Sequence, residues 1–304
     1  MEYCLTTQGL CKDYRHSRAL DGLTMQVPKG AIYGLVGRNG AGKTTLIRLI
    51  CGLQRPTAGS YALYGVPHTD PGIYAVRRRM GAVVETPAIY GNLTAQDNLR
   101  AQHRMLGLPG EEDIPKLLEL VGLAGTGKKT ARHFSLGMRQ RLGIAVALCG
   151  GPDFLVLDEP INGLDPQGII EMRELILTLN REHQITVLLS SHILDELARL
   201  ATHYGFLHQG ALVQEISARD LEAACRKCTR LTVTDPAALC LVLDRLGVAY
   251  RLAGEREVDV YEVDNLTQLI LALEEGGCQV LTLHQRDETL ESYFMDLVGG
   301  DGHA

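Results

Sequence analysis

The segment Gly37–Thr45, GRNGAGKTT, follows the apolar run AIYGLV and leads directly into LIRLI. A strand, a glycine-rich loop and a helix in that order form the setting that a phosphate-binding loop requires. Gly37, Gly40 and Gly42 let the backbone close around phosphate oxygens, while successive N–H groups and the helix N-terminus supply partial positive charge. Lys43 adds a full charge, and Thr44 would turn its hydroxyl to Mg²⁺. Arg38, Asn39, Ala41 and Thr45 complete the stretch expected to hold nucleotide phosphates.

The surrounding pattern suits such a loop. Over the first 215 or so residues, short apolar runs (Ile32–Val36, Gly81–Val84, Phe154–Leu157, Ile185–Leu189) alternate with helix-like segments. Runs of this kind suggest buried, mainly parallel strands in an α/β core. Between Pro87 and Pro152 the strand-like runs stop. Leu117, Leu118 and Val121, then Leu142, Ala145 and Val146, recur at helical spacing, which reads as a helical insertion over about 87–152.

After Ser217 the order becomes strand (Arg230–Val233), helix (Ala237–Leu246), strand (Val248–Leu252), strand (Val258–Val263), helix (Leu266–Glu275) and strand (Gln279–His284). That β-α-β-β-α-β order predicts a small ferredoxin-like α+β domain over 217–304, closed by an amphipathic helix from Thr289 to Leu297. A chain of 304 residues accommodates it beside a larger domain over 1–216.

Phe154–Leu157 lead into Asp158 and Glu159, placing two carboxylates where a central strand would emerge beside the phosphate loop. Buried together they need a cation. Asp158 would orient Mg²⁺, and Glu159 would polarise the water that attacks a terminal phosphate.

Composition narrows the classes. With 45% apolar and 22% charged residues the chain is neither disordered nor fibrous. A net charge of -6 provides no overall positive field, so no nucleic-acid partner is expected. Arg77–Arg79 is the one compact basic block, and it reads as a solvated face before a strand. No apolar run reaches the roughly 18 residues of a membrane span, and the N-terminus lacks an export signal, so a cytoplasmic location is expected. The eight cysteines read as reduced thiols. The Cys225–Cys228 pair and the His284, Asp287, Glu288 group read as structural rather than metal-binding.

With these residues in view, the stretch from about Tyr3 to Gln214 resembles the ATP-binding-cassette (ABC) transporter ATPases, a branch of the P-loop NTPases. Beside the phosphate loop and FLVLDEP, the family's signature loop is matched by FSLGMRQR (Phe134–Arg141). Its D-loop is matched by INGLDP (Ile161–Pro166), and its switch histidine by His192 in SSHILDE.

The resemblance implies ATP as ligand and a head-to-tail homodimer or paired cassette, with each ATP held between one subunit's phosphate loop and the other's signature loop. It makes Ser135 and Gly137 the contacts from the opposite subunit, with Asp165 coupling the two sites. His192 would sense the γ-phosphate, and Tyr14 would stack on adenine. A separate multi-span membrane permease is the implied partner, received near Glu85, Pro87, Ile89 and Tyr90, with the chain peripheral on the cytoplasmic face of the membrane.

Two departures stand out. Glu85, in VVETPAIYGNLT, replaces the family's usual glutamine at the Mg²⁺, and the signature carries Leu136 and Met138 in place of glycine and glutamine. With the form SLGMRQR they resemble a subgroup of exporters that includes those for bacitracin-type and lantibiotic peptides. Two rival readings are a soluble cassette ATPase acting on ribosomes or nucleic acid, and an importer ATPase with a regulatory C-terminal domain. The C-terminal domain itself carries no catalytic constellation, and its position after a complete motor suggests a dimer-contact or regulatory role.

Overall fold

The computed structural model describes residues 2–224, 228–261, 266–275, 278–286 and 290–299. Cys225, Asp287 and Glu288 lie outside them. Two units are present, Met1–Ala218 and Arg219–Ala304.

In the first unit the order is β1 (Tyr3–Tyr14), β2 (Ser17–Pro28), β3 (Ile32–Val36), α1 (Lys43–Ile50), β4 (Ala58–Leu63), β5 (Val66–Pro67), α2 (Ile73–Arg77), β6 (Met80–Val83), α3 (Ala95–Leu106), α4 (Ile114–Leu120) and α5 (Leu136–Leu148). It continues with β7 (Phe154–Asp158), α6 (Pro166–Arg181), β8 (Thr186–Ser191), α7 (Leu194–Ala198), β9 (His203–His208) and β10 (Ala211–Ser217).

A six-stranded sheet runs β10-β9-β3-β8-β7-β6. Its pairings β3–β8, β3–β9, β7–β8 and β6–β7 are parallel, and β10 is antiparallel to β9. Every residue of β3, β7 and β8 is buried, which is why those strands read as unbroken apolar runs. β8 runs past the apolar run to Ser190 and Ser191, the first of which binds the site's carboxylate turn.

The sequence pattern did not anticipate a second, antiparallel sheet, β2-β1-β4-β5. Its strands face the core on one side only: Leu23, Met25 and Val27 of β2 are buried, while Thr24 and Gln26 between them are exposed. Glycines set its irregularity. A Cβ on Gly59 would lie 2.0 Å from the Gly9 carbonyl oxygen, where the β1–β4 register shifts.

The stretch from 87 to 152 is helical. Two of its helices, α3 and α5, start on hydroxyl caps, with Thr94 accepting from the Asp97 N–H at 3.1 Å and Ser135 accepting from the Met138 N–H at 3.2 Å. No helix among the described residues is long and apolar enough to cross a membrane.

The second unit contains β11 (Cys228–Val233), α9 (Pro236–Leu246), β12 (Tyr250–Leu252), β13 (Glu257–Tyr261), α10 (Leu266–Glu275), β14 (Val280–Arg286) and α11 (Leu290–Gly299); α8 (Ala218–Ala224) precedes them. The sheet order is β12-β13-β11-β14 with every pairing antiparallel, the split β-α-β arrangement of a ferredoxin-like unit. Leu231, Val233, Val258 and Val260 meet Leu239 and Leu243 in its core.

Candidate active site

At the C-terminal end of β3 the chain turns through Gly37–Gly42 into α1, and two of its glycines leave no room for a side chain. A Cβ on Gly37 would sit 2.8 Å from the Leu207 carbonyl oxygen. On Gly42, at φ +109°, it would sit 2.6 Å from the Ala19 carbonyl oxygen. The loop therefore presses against β2 and β9 on its outer side. Gly42 is also the N-cap of α1 and offers no side-chain cap, so the helix presents its first N–H groups without a side-chain acceptor.

Lys43 opens that helix with its side chain 6% exposed. Its ammonium donates to the Gly37 carbonyl at 2.6 Å and reaches the Arg38 carbonyl at 3.4 Å, so the loop curls around it. It also faces Glu159 Oε1 at 3.2 Å.

Glu159 arrives from the end of β7 through a backbone turn at φ +50°, left-handed and rare for a non-glycine residue. Ser190 on β8 holds that turn. Its hydroxyl donates to Asp158 Oδ1 at 2.6 Å and accepts the Glu159 N–H at 2.9 Å. His192, just beyond β8, places Nδ1 2.8 Å from Glu159 Oε2. Since a carboxylate only accepts, that nitrogen carries the proton.

The cleft so formed, about 440 Å³, is lined by Ala19, Arg38–Thr45, Glu159, Asn162 and His192. It brings together the phosphate-loop residues Arg38, Asn39, Gly40, Ala41, Gly42, Lys43, Thr44 and Thr45 with Glu159 and His192. Gly37 stands at the foot of the loop, and Asp158, 2% exposed, lies behind the lining against Ser190.

Five expected residues lie elsewhere. Tyr14, at the end of β1, is exposed and donates its hydroxyl to Gln54 Oε1 at 2.7 Å. Glu85, left-handed at φ +60°, does not line the cleft; its carboxylate pairs with Arg48 on α1. Ser135 caps α5, with Gly137 in that helix's first turn. Asp165 caps α6 by accepting from the Gly168 N–H at 3.1 Å. The last three sit near one another, because a Cβ on Gly137 would lie 3.7 Å from the Leu164 side chain.

Sequence reasoning missed Asn162 and Ala19. Asn162 was within reach, since it shares the loop after Glu159 and its N–H donates to the Glu159 carbonyl at 3.1 Å. Ala19 comes to the loop only through tertiary packing. A second cavity, about 890 Å³, lies between β6, α2 and the helical stretch, with Pro87, Ile89 and Tyr90 in its lining.

Comparison with known proteins agrees with this geometry. Residues 20–162 match the family model described as ABC transporter. The chain is 40% identical over 306 residues, 99% of each chain, to the bacitracin transport ATP-binding protein BcrA of Bacillus licheniformis. To the lantibiotic transport ATP-binding protein SrtF of Streptococcus pyogenes it is 42% identical over 211 residues, 69% of this chain and 90% of the relative. A solved ATP-binding subunit of an ABC transporter superposes with a TM-score of 0.64 at 31% identity, covering 73% of this chain and 92% of that one. A phosphate loop closed around Lys43, a carboxylate and a histidine facing it, and full-length relatives of this kind lead to one assignment: the chain belongs to the ABC transporter family, as an ATP-binding and ATP-hydrolysing subunit.

Proposed function

We propose that this chain powers an exporter of peptide antibiotics or similar amphiphiles, acting on a separate membrane permease from the cytoplasmic face. The observation that carries the motor reading is the line Lys43–Glu159–His192 across the mouth of the phosphate loop, with spacings of 3.2 and 2.8 Å. The cargo class rests on the relatives that transport bacitracin and lantibiotics.

In the cleft, the N–H groups of the loop and of α1 would receive the phosphates of ATP. Phosphate oxygens would compete with Glu159 for the Lys43 ammonium. Glu159, released from that pair, becomes free to accept a proton from the attacking water. His192 holds the other carboxylate oxygen and so fixes its direction. Tyr14, exposed beside β1, offers a ring face to adenine.

The residues present suit Mg²⁺. The Thr44 hydroxyl and the Asp158 carboxylate are hard oxygen donors, and no cluster of three or more His, Cys, Asp or Glu forms a cage among the described residues. A cation drawing its remaining ligands from phosphate and water fits that donor set. When bound, the metal would neutralise charge on the terminal phosphates. Glu85 would join it by leaving Arg48 or by turning its other oxygen to the metal.

Ser135 and Gly137 lie outside the chain's own cleft, at the start of α5. Their position supports a head-to-tail dimer in which they meet a nucleotide held by the partner subunit. The 890 Å³ groove with Ile89 and Tyr90 would receive the permease. The second unit, Arg219–Ala304, is assigned a dimer-contact or regulatory role.

The test is genetic and biochemical together. Deleting the gene should sensitise its host to bacitracin or lantibiotics, and the wild-type chain should restore resistance while Glu159→Gln should not. Unchanged susceptibility to both peptide classes would remove the cargo assignment and leave the ATPase standing.

A further inference from the structure

β8 lies between β3 and β7 in the middle of the sheet, yet it ends in two hydroxyls, Ser190 and Ser191, both 0% exposed. On β3 the residues beside them are Leu35 and Val36. A hydroxyl buried at such a place is costly unless it is hydrogen-bonded. Consecutive strand residues point to opposite faces, so the two serines serve different groups.

Ser190 stands in parallel register with Asp158 on β7, which brings the two side chains together. The hydroxyl has one proton, and Asp158 Oδ1, an acceptor only, takes it at 2.6 Å. A lone pair of the same oxygen receives the Glu159 N–H at 2.9 Å. That bond pins the left-handed turn at Glu159, a conformation that persists only where its surroundings over-determine it. Ser191 shapes the other side. Its Oγ accepts the Ile193 N–H at 2.9 Å and closes a short turn with His192 at its centre. From this turn the imidazole reaches back to Glu159 Oε2.

We infer that Ser190 is a positioning residue for ATP hydrolysis, aiming Glu159 and Asp158 through one hydroxyl, and that Ser191 does the same for His192. The inference rests on Glu159 being the general base. Neither serine lines the nucleotide cleft, so both act through the residues they hold. Loss of the Ser190 hydroxyl leaves the phosphate loop intact but frees the turn that carries the base. A reacting group displaced by 1 Å costs about 10²-fold in rate, so the effect falls on kcat rather than on KM.

The experiment is a double-mutant cycle on the purified full-length chain. Ser190→Ala should lower kcat by about 10- to 100-fold and leave KM for ATP within about twofold of wild type. Ser190→Thr, which keeps the hydroxyl, should restore most of the rate. In a Glu159→Gln background Ser190→Ala should slow the residual turnover no further, and Ser191→Ala should lose rate only while His192 is present. A fluorescent ATP analogue reads the Asp158 arm without turnover. In Glu159→Gln protein, Ser190→Ala should raise the Mg²⁺ concentration for half-maximal binding by about tenfold, as loss of a partner behind a metal ligand does.

A Ser190→Ala enzyme that turns over at the wild-type rate, beside a slow Glu159→Gln enzyme, overturns the inference and leaves Glu159 as the base. A fast Glu159→Gln enzyme removes the base assignment instead. If Ser190→Ala slows the Glu159→Gln protein as much as it slows wild type, the hydroxyl serves the fold and not the carboxylate. That cycle decides the matter even if the added methyl of Ser190→Thr prevents folding. An unchanged Mg²⁺ titration overturns the Asp158 arm alone.

Discussion

His192 and Glu159 are joined by a 2.8 Å hydrogen bond from Nδ1 to Oε2, while the other oxygen of that carboxylate faces Lys43 at 3.2 Å. Three elements, β7, β8 and α1, thus hold one side chain, and the left-handed turn at Glu159 aims it into the cleft. Once phosphate takes Lys43 away from one oxygen, His192 still directs the carboxylate through the other, so the freed oxygen is oriented for a proton as a general base requires.

Glu159→Gln should therefore lower ATP turnover by about 10² to 10⁴ while ATP binding changes little. His192→Ala should also slow turnover, since one carboxylate oxygen loses its donor. Steady-state rates and nucleotide titration of the purified variants check both. A Glu159→Gln rate equal to wild type would remove Glu159 as the base.

Gly37→Ala would force a methyl group to within 2.8 Å of the Leu207 carbonyl oxygen on β9. Backbone lies on both sides of that contact, so neither can swing away. The substitution should destabilise the chain by about 1–3 kcal/mol, as overpacking does. It should also weaken ATP binding, because the loop must move outward into the cleft. Thermal unfolding with and without nucleotide measures the two effects separately.

The parts of this site that were legible in the sequence are those in which function is contiguous. The phosphate loop, Asp158–Glu159 and His192 each follow an apolar run that becomes a central strand. What could not be read was charge compensation between distant segments. Glu85 was expected at the metal, yet Arg48 holds its carboxylate, and nothing in the local pattern links the two. The antiparallel sheet was missed for a related reason: β1 and β4 are broken by register shifts at Gly9 and Gly59, which interrupt the alternation that marks a half-buried strand.

The Arg48–Glu85 pair itself yields a prediction. Both side chains are substantially exposed, at 34% and 53%, so solvent screens the pair. Glu85→Gln should change folding stability by less than about 1 kcal/mol. It should nevertheless alter the Mg²⁺ concentration at which ATP turnover is half-maximal, if the carboxylate leaves Arg48 for the metal during the cycle. A Mg²⁺ titration that superposes on wild type would take Glu85 out of the metal site.

In the second unit, Asp259 on β13 is 1% exposed and accepts from Arg230 Nε at 2.6 Å and Nη2 at 2.8 Å, with Arg251 Nη2 at 3.2 Å. The hydrogen bonds from Arg230, aided by Arg251, hold its carboxyl below the usual carboxylate range against the opposing effect of burial. A carboxyl depressed in the folded state contributes stability that is fully present above its unfolded pKa near about 4. That contribution is lost as pH falls through the lower, folded value. Asp259→Asn removes it at every pH and leaves Arg230, 18% exposed, with Glu257 still 3.4 Å away. Breaking such a pair from one side costs about 3–5 kcal/mol when both charges are buried, and the residual Glu257 contact places this case at the lower end. Hydrogen exchange over residues 228–261, corrected for intrinsic rates, should show constant protection from pH 7 to about 5 and a decline below about 4. The Asn variant should be less protected throughout and should lose most of that acid-dependent decline. Equal protection in the two proteins would show that the cluster adds nothing to the stability of this sheet.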